Sequence, residues 1–413
     1  MTALPLEILQ KEIAKSQFGQ ECIQDPLLMT EDVWSLRKLG YSEEECQING
    51  KTYLHFKDFS LPWLKLLAKL TTKAGVRERH SLSQVYIRVN CLKHLDEFLV
   101  SNGHNQPQTL TDPLLQQFIA HNNSNNRQAT LAYATKLWTE EQWLKLPYIK
   151  RKYKQATPKI ETIPEEVLYQ VYEKFDLFPP LLERLFRLQL VLGCRIGEIL
   201  IMPRQCLKQE GDQWFLLRWV EKRKHWQFSQ IHSLVAELVQ EQQRFLDAQF
   251  GQASSFDKLF CKLSTQFKGG TEGKRRFVVE PLYIPKIASN AMICRWLRDF
   301  SETAALRDKY SNRFYLTSHM FRRTKASIMA HCEVEDEYIA AVLGHGSLDM
   351  LPHYRQRSLE RLEKEATAKG YVDRYGRVTA LKPKKQRYER LNDLLKVTTP
   401  LGGKSARLSF AAT

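Results

Sequence analysis

Between Thr317 and Gln356 the chain reads TSHMFRRTKASIMAHCEVEDEYIAAVLGHGSLDMLPHYRQ, which packs His319, Arg322, Arg323, His345 and Tyr354 between apolar runs. These side chains suit phosphate chemistry: a phenol can attack, imidazoles can move protons, and guanidinium groups can hold developing negative charge. The spacing predicts a helix over SHMFRRTKASIMA that starts at a Thr or Ser cap, with His319 and Arg322 three residues apart on one face near its electropositive N-terminal end. An anion docked there meets imidazole, guanidinium and free backbone N–H groups together. A second helix, from Val334 to Leu343, is expected to stop at Gly344 in a left-handed cap, immediately before His345. Tyr354 follows nine residues later. Taken singly, a histidine is more often a satisfied structural residue and a tyrosine more often half-buried packing. Their ordered coincidence is what argues for a site.

Other elements must bring further groups to that stretch. Arg195 lies inside the apolar run LLERLFRLQLVLGCRIGEILIM, which reads as one continuous helix. A buried, unpaired guanidinium costs several kcal/mol, so Arg195 must meet a carboxylate or a bound anion. Glu198, three residues on, can share its helical face and orient it, as a structural pair or as part of an anion site. Downstream, Trp214 to Val220 and Trp226 to Ile231 are rich in strand formers and flank the polar turn Glu221 to His225, which predicts a hairpin. A lysine at such a tip can reach into a groove and donate a proton. Lys222 and Lys224 are both placed for it, and both also fit a solvated charge run.

Length and composition bound the rest. A chain of 413 residues is long enough for two cores. Hydrophobic content of 43% and aromatic content of 11% exclude general disorder. The formal net charge of +16 points to an extended polyanion, whether DNA, RNA or an anionic membrane surface. No apolar run approaches the roughly 18 residues of a membrane span, and MTALPLEILQKEIAK is not a signal peptide. The cysteines are scattered and form no CxxC, which implies reduced thiols in a cytoplasmic protein and no zinc. No acidic cluster suits a two-metal nuclease, and KGGTEGKRRFVV lacks Walker spacing, so neither metal nor cofactor is expected.

Along the chain, residues 1–60 form an N-terminal extension of unknown role with a short helix and a strand. Residues 61–147 read as four helices: LPWLKLLAKLTTKA, a Ser-capped SLSQVYIRVNCLKHLDEFLVSNG, LTDPLLQQFIAHN and NRQATLAYATKLWTEEQWLKL. Residues 148–163 form a linker in which Lys150, Arg151, Lys152 and Lys154 alternate with Tyr148 and Tyr153, suited to tracking a phosphate backbone or to solvation alone. A second domain spans 164–358, and a charged tail over 359–413 has an apolar edge at Leu391, Leu394 and Leu395. The expected fold class is mainly α with a small β-hairpin or sheet, α+β.

The series Gly193-Cys194-Arg195-Ile196-Gly197-Glu198, His319-x-x-Arg322, Leu343-Gly344-His345 and Tyr354 resembles the signature of the tyrosine recombinases, the phage-integrase family. The resemblance implies a helical core-binding domain that lies on DNA, followed by a catalytic domain. It also implies roles. Tyr354 attacks the scissile phosphate, His319 accepts its proton, Arg195 and Arg322 bind the non-bridging oxygens, and His345 donates a hydrogen bond. A hairpin lysine protonates the leaving 5′ oxygen, and register against FSQI favours Lys222. It implies double-stranded recombination sites as substrate, a homotetramer at synapsis, a tail that docks on a neighbouring protomer or on its own domain, and a nucleoid-associated location as in phage or transposon systems. A type IB topoisomerase-like enzyme and a non-catalytic, sequence-specific DNA-binding protein that retains the fold are the alternatives. Pro352, two residues before Tyr354, requires a bend there or a position in a first helical turn.

Overall fold

The structure is a computed structural model that describes residues 5–121, 124–144, 146, 161–220, 224–264, 281–332 and 334–344. Lys150, Arg151, Lys152, Lys154, Lys222, His345 and Tyr354 lie outside the described residues. The chain divides into two compact units, residues 1–157 and 158–413.

The first unit begins with α1 (Pro5–Ile13), α2 (Gln17–Ile23) and α3 (Pro26–Thr30), then β1 (Val33–Ser35), α4 (Glu43–Asn49) and β2 (Tyr53–His55). Side-chain caps start several of these short helices. Ser16 caps α2, Asp25 caps α3, and Ser42 with Glu45 makes a reciprocal capping box for α4. β1 and β2 pair antiparallel, with Trp34 opposite Leu54. Four longer helices follow: α5 (Pro62–Arg77), α6 (Leu82–Ser101), α7 (Asp112–His121) and α8 (Asn125–Glu140). The buried Asp96 carboxylate on α6 accepts the N–H groups of Ser60 and Leu61 at 2.8 and 3.0 Å, which satisfies donors at the start of α5. On α8, Trp138 donates its indole N–H to Thr71 on α5 at 2.9 Å. Leu9, Ile13, Trp34 and Phe56 from the first sixty residues share one core with Leu64, Leu92, Phe118 and Trp138. The early segment is therefore part of the same packed body as the four long helices.

The second unit contains α9 (Glu165–Glu173), α10 (Pro180–Leu192) and α11 (Ile196–Leu200), then a sheet of β3 (Leu207–Glu210), β4 (Gln213–Val220) and β5 (His225–Ile231) in the order β3-β4-β5. After α12 (Ser233–Phe250), a small antiparallel pair is made by β6 (Lys262–Ser264) and β7 (Leu282–Ile284). The described part ends with α13 (Asn290–Thr303), α14 (Ser318–His331) and α15 (Asp336–Leu343). Phe178 stacks on Phe300 with ring centroids 3.8 Å apart, and Phe186 on Phe321 at 5.5 Å, so aromatic pairs join the segment just before α10 to α13, and α10 itself to α14. The hairpin forms as the sequence implies, with Trp219 opposite Trp226. β3 was not anticipated, because its four residues are almost wholly exposed and carry no apolar alternation. Among the described residues no helix is long and apolar enough to cross a membrane. The cysteines are free thiols.

One local reading changes. The run containing Arg195 is not one helix: α10 stops at Gly193, which is left-handed at φ 64°, and α11 starts after Arg195 in extended backbone. The reason is tertiary. A Cβ on Gly193 would lie 2.9 Å from Leu343 Cδ2 and 3.1 Å from Lys325 Cγ, so both conformation and space require glycine.

Gly193→Ala is expected to lower unfolding free energy by about 2–4 kcal/mol, from left-handed strain plus overpacking, read by chemical denaturation. Below the turn, Lys325 is fully buried, its ammonium has no hydrogen-bond partner among the described residues, and burial pushes its pKa down to about 8 from 10.5. Between those values the unfolded chain holds a proton that the folded chain has lost, so the cost of burial is full below pH 8 and fades as pH rises toward 10.5. Lys325→Met should therefore raise the melting temperature near pH 7 and lose most of that advantage by about pH 10.

Candidate active site

Two chain turns and one helix start converge in the second unit. The turn after α10 presents Arg195. Its backbone N–H and its Nη1 each donate to the Glu198 carboxylate at 2.8 Å, and Glu198 is buried while the arginine side chain stays 27% exposed. Glu198 thus acts from the first turn of α11 rather than from a shared helical face. It neutralises the guanidinium and fixes the backbone that carries it, leaving the outer edge of Arg195 open to a further ligand.

At the start of α14, Thr317 occupies the capping position without a side-chain cap bond. Gln189 near the end of α10 donates to the Ser318 carbonyl at 2.9 Å, which ties the α10 turn to the entry of α14. His319 is exposed on the first turn, whereas Arg322 is buried at 2%. The Arg322 guanidinium reaches inward: Nη1 donates to Gly193 O at 2.8 Å and Nη2 to Leu343 O at 2.5 Å. A single side chain therefore clasps the turn before Arg195 and the end of α15. The end of α15 is Gly344 in the left-handed region at φ 62°, as the sequence implies. A Cβ on Gly344 would lie 2.9 Å from Val220 Cγ1, so this turn packs directly on the hairpin strand β4.

The electrostatics follow from this convergence. Partial desolvation, then the positive fields of Arg323, Arg322 and Arg195, hold the His319 pKa below its ordinary 6.5. The imidazole is thereby neutral at physiological pH and able to accept a proton. Arg323 is the largest of the three electrostatic contributors.

The structure therefore gathers Arg195, Glu198, His319 and Arg322. Of the hairpin lysines, only Lys224 lies among the described residues, at φ 52° with its N–H donating to Val220 O at 2.8 Å. Three residues with structural parts to play were not singled out from sequence: Gln189, Arg218 and Lys325. Arg218 occupies the inward row of β4 between the buried Leu216 and Val220. A charged residue on the apolar side of an alternating strand was the available signal. Lys325 interrupts the apolar run after Arg323 in the same way.

The sequence model of the phage integrase family matches residues 165–361. Among solved structures, the chain is similar to the XerH site-specific recombinase bound to difH substrate in a pre-cleavage complex, with 15% identity over 88% of this chain and 95% of that one at a TM-score of 0.49. It is also similar to a lambda integrase tetramer bound to a Holliday junction, with 14% identity over 70% of this chain and 76% of that one at 0.49. The Tn1549 transposon integrase in complex with transposon right end DNA gives 12% identity over 72% and 99% at 0.40. A comparison with curated proteins finds no match.

Removing the charge of Arg323 should move His319 titration upward, toward 6.5, because a positive neighbour disfavours the imidazolium. An NMR titration of the ring in wild type and Arg323→Gln tests this. An unchanged midpoint would mean that Arg323 does not set the state of His319.

Proposed function

Because residues 165–361 belong to the phage integrase family of tyrosine recombinases, we propose that this site-specific DNA recombinase breaks and rejoins strands at the site built around Arg195, His319 and Arg322. The observation that supports this reading is the joint placement of the Arg195–Glu198 pair and the His319–Arg322 helix, linked by the 2.8 Å bond from Arg322 to Gly193 O.

The proposed chemistry is a transesterification. The Tyr354 phenol oxygen forms a bond to the scissile phosphorus while the bond from phosphorus to the 5′ oxygen breaks, which leaves a 3′-phosphotyrosyl link and a free 5′ hydroxyl. A phenol with a pKa near 10 needs an acceptor for its proton, and neutral His319 is suited to that task. Arg195, with its outer edge open, and Arg322 offset charge on the non-bridging oxygens, with a hydrogen bond added by His345. Lys222 supplies the proton to the departing 5′ oxygen. Attack by a 5′ hydroxyl of the partner strand reverses each step on a new duplex. One phosphodiester is exchanged for another, so the energy of the broken bond is stored in the protein–DNA link.

The partners proposed are double-stranded recombination sites and three further copies of the chain. The first unit and the linker residues Lys150, Arg151, Lys152 and Lys154 would supply non-specific phosphate contacts. In this reading residues 61–147 act as the core-binding domain, 164–358 as the catalytic domain, and 359–413 as a segment exchanged between protomers, with the working location at the nucleoid.

A DNA substrate nicked close to the cleavage site loses its short 5′-hydroxyl fragment and traps the covalent intermediate. Wild-type protein is expected to form a denaturation-resistant adduct, and Tyr354→Phe to form at least about 1000-fold less, since the nucleophile is removed. An adduct of normal yield with the phenylalanine variant would assign the nucleophile elsewhere. Site-specific DNA binding with no adduct from wild type would favour a binding protein that retains the fold, and relaxation of supercoils without strand exchange would favour a topoisomerase-like activity.

A further inference from the structure

Arg218 is 5% exposed on the inward row of β4. Its Nη2 donates to Val342 O at 2.7 Å and to Ala341 O at 3.3 Å, and its Nη1 to Cys194 Sγ at 3.7 Å. No carboxylate stands among these partners. What faces the guanidinium is the carbonyl end of α15, where the helix dipole is negative and the last carbonyls have no intrahelical donor. A buried cation is a costly way to hold two elements together, and apolar residues of the same volume commonly do it as well. The arginine does something that apolar packing cannot. Its rigid fork fixes the direction and register of the α15 end relative to one strand.

Both elements lead directly to groups required by the proposed chemistry. Two residues beyond Arg218 on the same row, Val220 lies against Gly344, whose added Cβ would be 2.9 Å from Val220 Cγ1. Lys222 comes two residues after Val220, and His345 comes one residue after Gly344. The third contact, Cys194, immediately precedes Arg195. Resting on the reading under Proposed function, we infer that Arg218 is a positioning residue that locks the hairpin strand to the Leu343–Gly344 turn, so that the leaving-group acid and the phosphate-binding groups meet the same phosphate. It acts through these neighbours and does not itself touch DNA.

The test compares wild type, Arg218→Met and Arg218→Lys on the nicked trapping substrate and on one whose scissile 5′ bridging oxygen is replaced by sulfur. A thiolate leaves without a proton, so the sulfur substrate relieves the need for a correctly placed acid. Arg218→Met is expected to slow adduct formation on the oxygen substrate by about 10- to 100-fold, with DNA affinity within about threefold of wild type, and to recover most of the rate on the sulfur substrate. Arg218→Lys, which keeps the charge and one donor direction, should fall between the two. Equal losses on both substrates, or no loss on either, would overturn the positioning role. Should Arg218→Met fail to fold, the ratio of oxygen to sulfur rates for Arg218→Lys decides in the same way. Absence of any adduct from wild type on either substrate would overturn the underlying chemistry, and the inference with it, an outcome distinct from a defect confined to the variants.

Discussion

The clasp made by Arg322 is the constraint on which the second unit depends. One buried guanidinium binds Gly193 O and Leu343 O, carbonyls separated by most of the unit's sequence. Hydrogen bonds from a charged donor contribute about 1.5–3 kcal/mol each, and losing the donor would leave two buried carbonyls unpaired. An arginine expected from its motif to hold phosphate is thus also the tie that brings the Arg195 turn to the end of α15. Guanidinium offers five N–H donors in a fixed plane, so two spent on the backbone set the aim of the others.

That arrangement explains how so much positive charge is buried in one place. α10 ends at Gly193 and α15 ends at Gly344, and both present carbonyl ends to the same region. Arg322 and Arg218 both donate to these carbonyl ends, where the helix dipole is negative. The single buried carboxylate in the turn, Glu198, is committed to Arg195. α14 has the opposite polarity, and its N-terminal turn carries the exposed His319. Helix ends of negative sign hold the buried arginines, while a helix start of positive sign meets solvent where an anion would bind. Desolvation, aided by the same positive field that would attract a phosphate, lowers the His319 pKa.

The parts legible in the sequence were those with local causes. Periodicity and caps gave the long helices α5 to α8, the hairpin and the left-handed stop at Gly344. The first sixty residues were less legible, because helices of five to nine residues are too short for periodicity to establish. The run LLERLFRLQLVLGCRIGEILIM reads as one helix that includes Arg195 because its apolar residues recur on both sides of Gly193. The break at Gly193 has a distant cause, the approach of Lys325 and Leu343 side chains, which no local pattern encodes. Arg218 was overlooked for a related reason: an inward arginine has meaning only once the carbonyls it faces are known. The order of the motif residues was readable, but their convergence needed the fold, and the contributions of Lys222, His345 and Tyr354 rest on the family pattern.

The hairpin turn bears on which lysine serves as acid. Lys224 donates its backbone N–H to Val220 O, and the pair Val220 and His225 closes the β4–β5 ladder. Lys224 is thereby the residue that ends the turn, held in a left-handed conformation that a lysine adopts at some cost. Its backbone is fixed against the strand that Arg218 and Val220 anchor. Lys222 is the sequence midpoint between Val220 and Lys224. A leaving-group acid must reach a phosphate beyond the protein surface and return, which calls for a long flexible stem on a firmly based loop. The firm base is visible in Arg218, Val220 and Lys224, and Lys222 is the proposed acid on its register against FSQI.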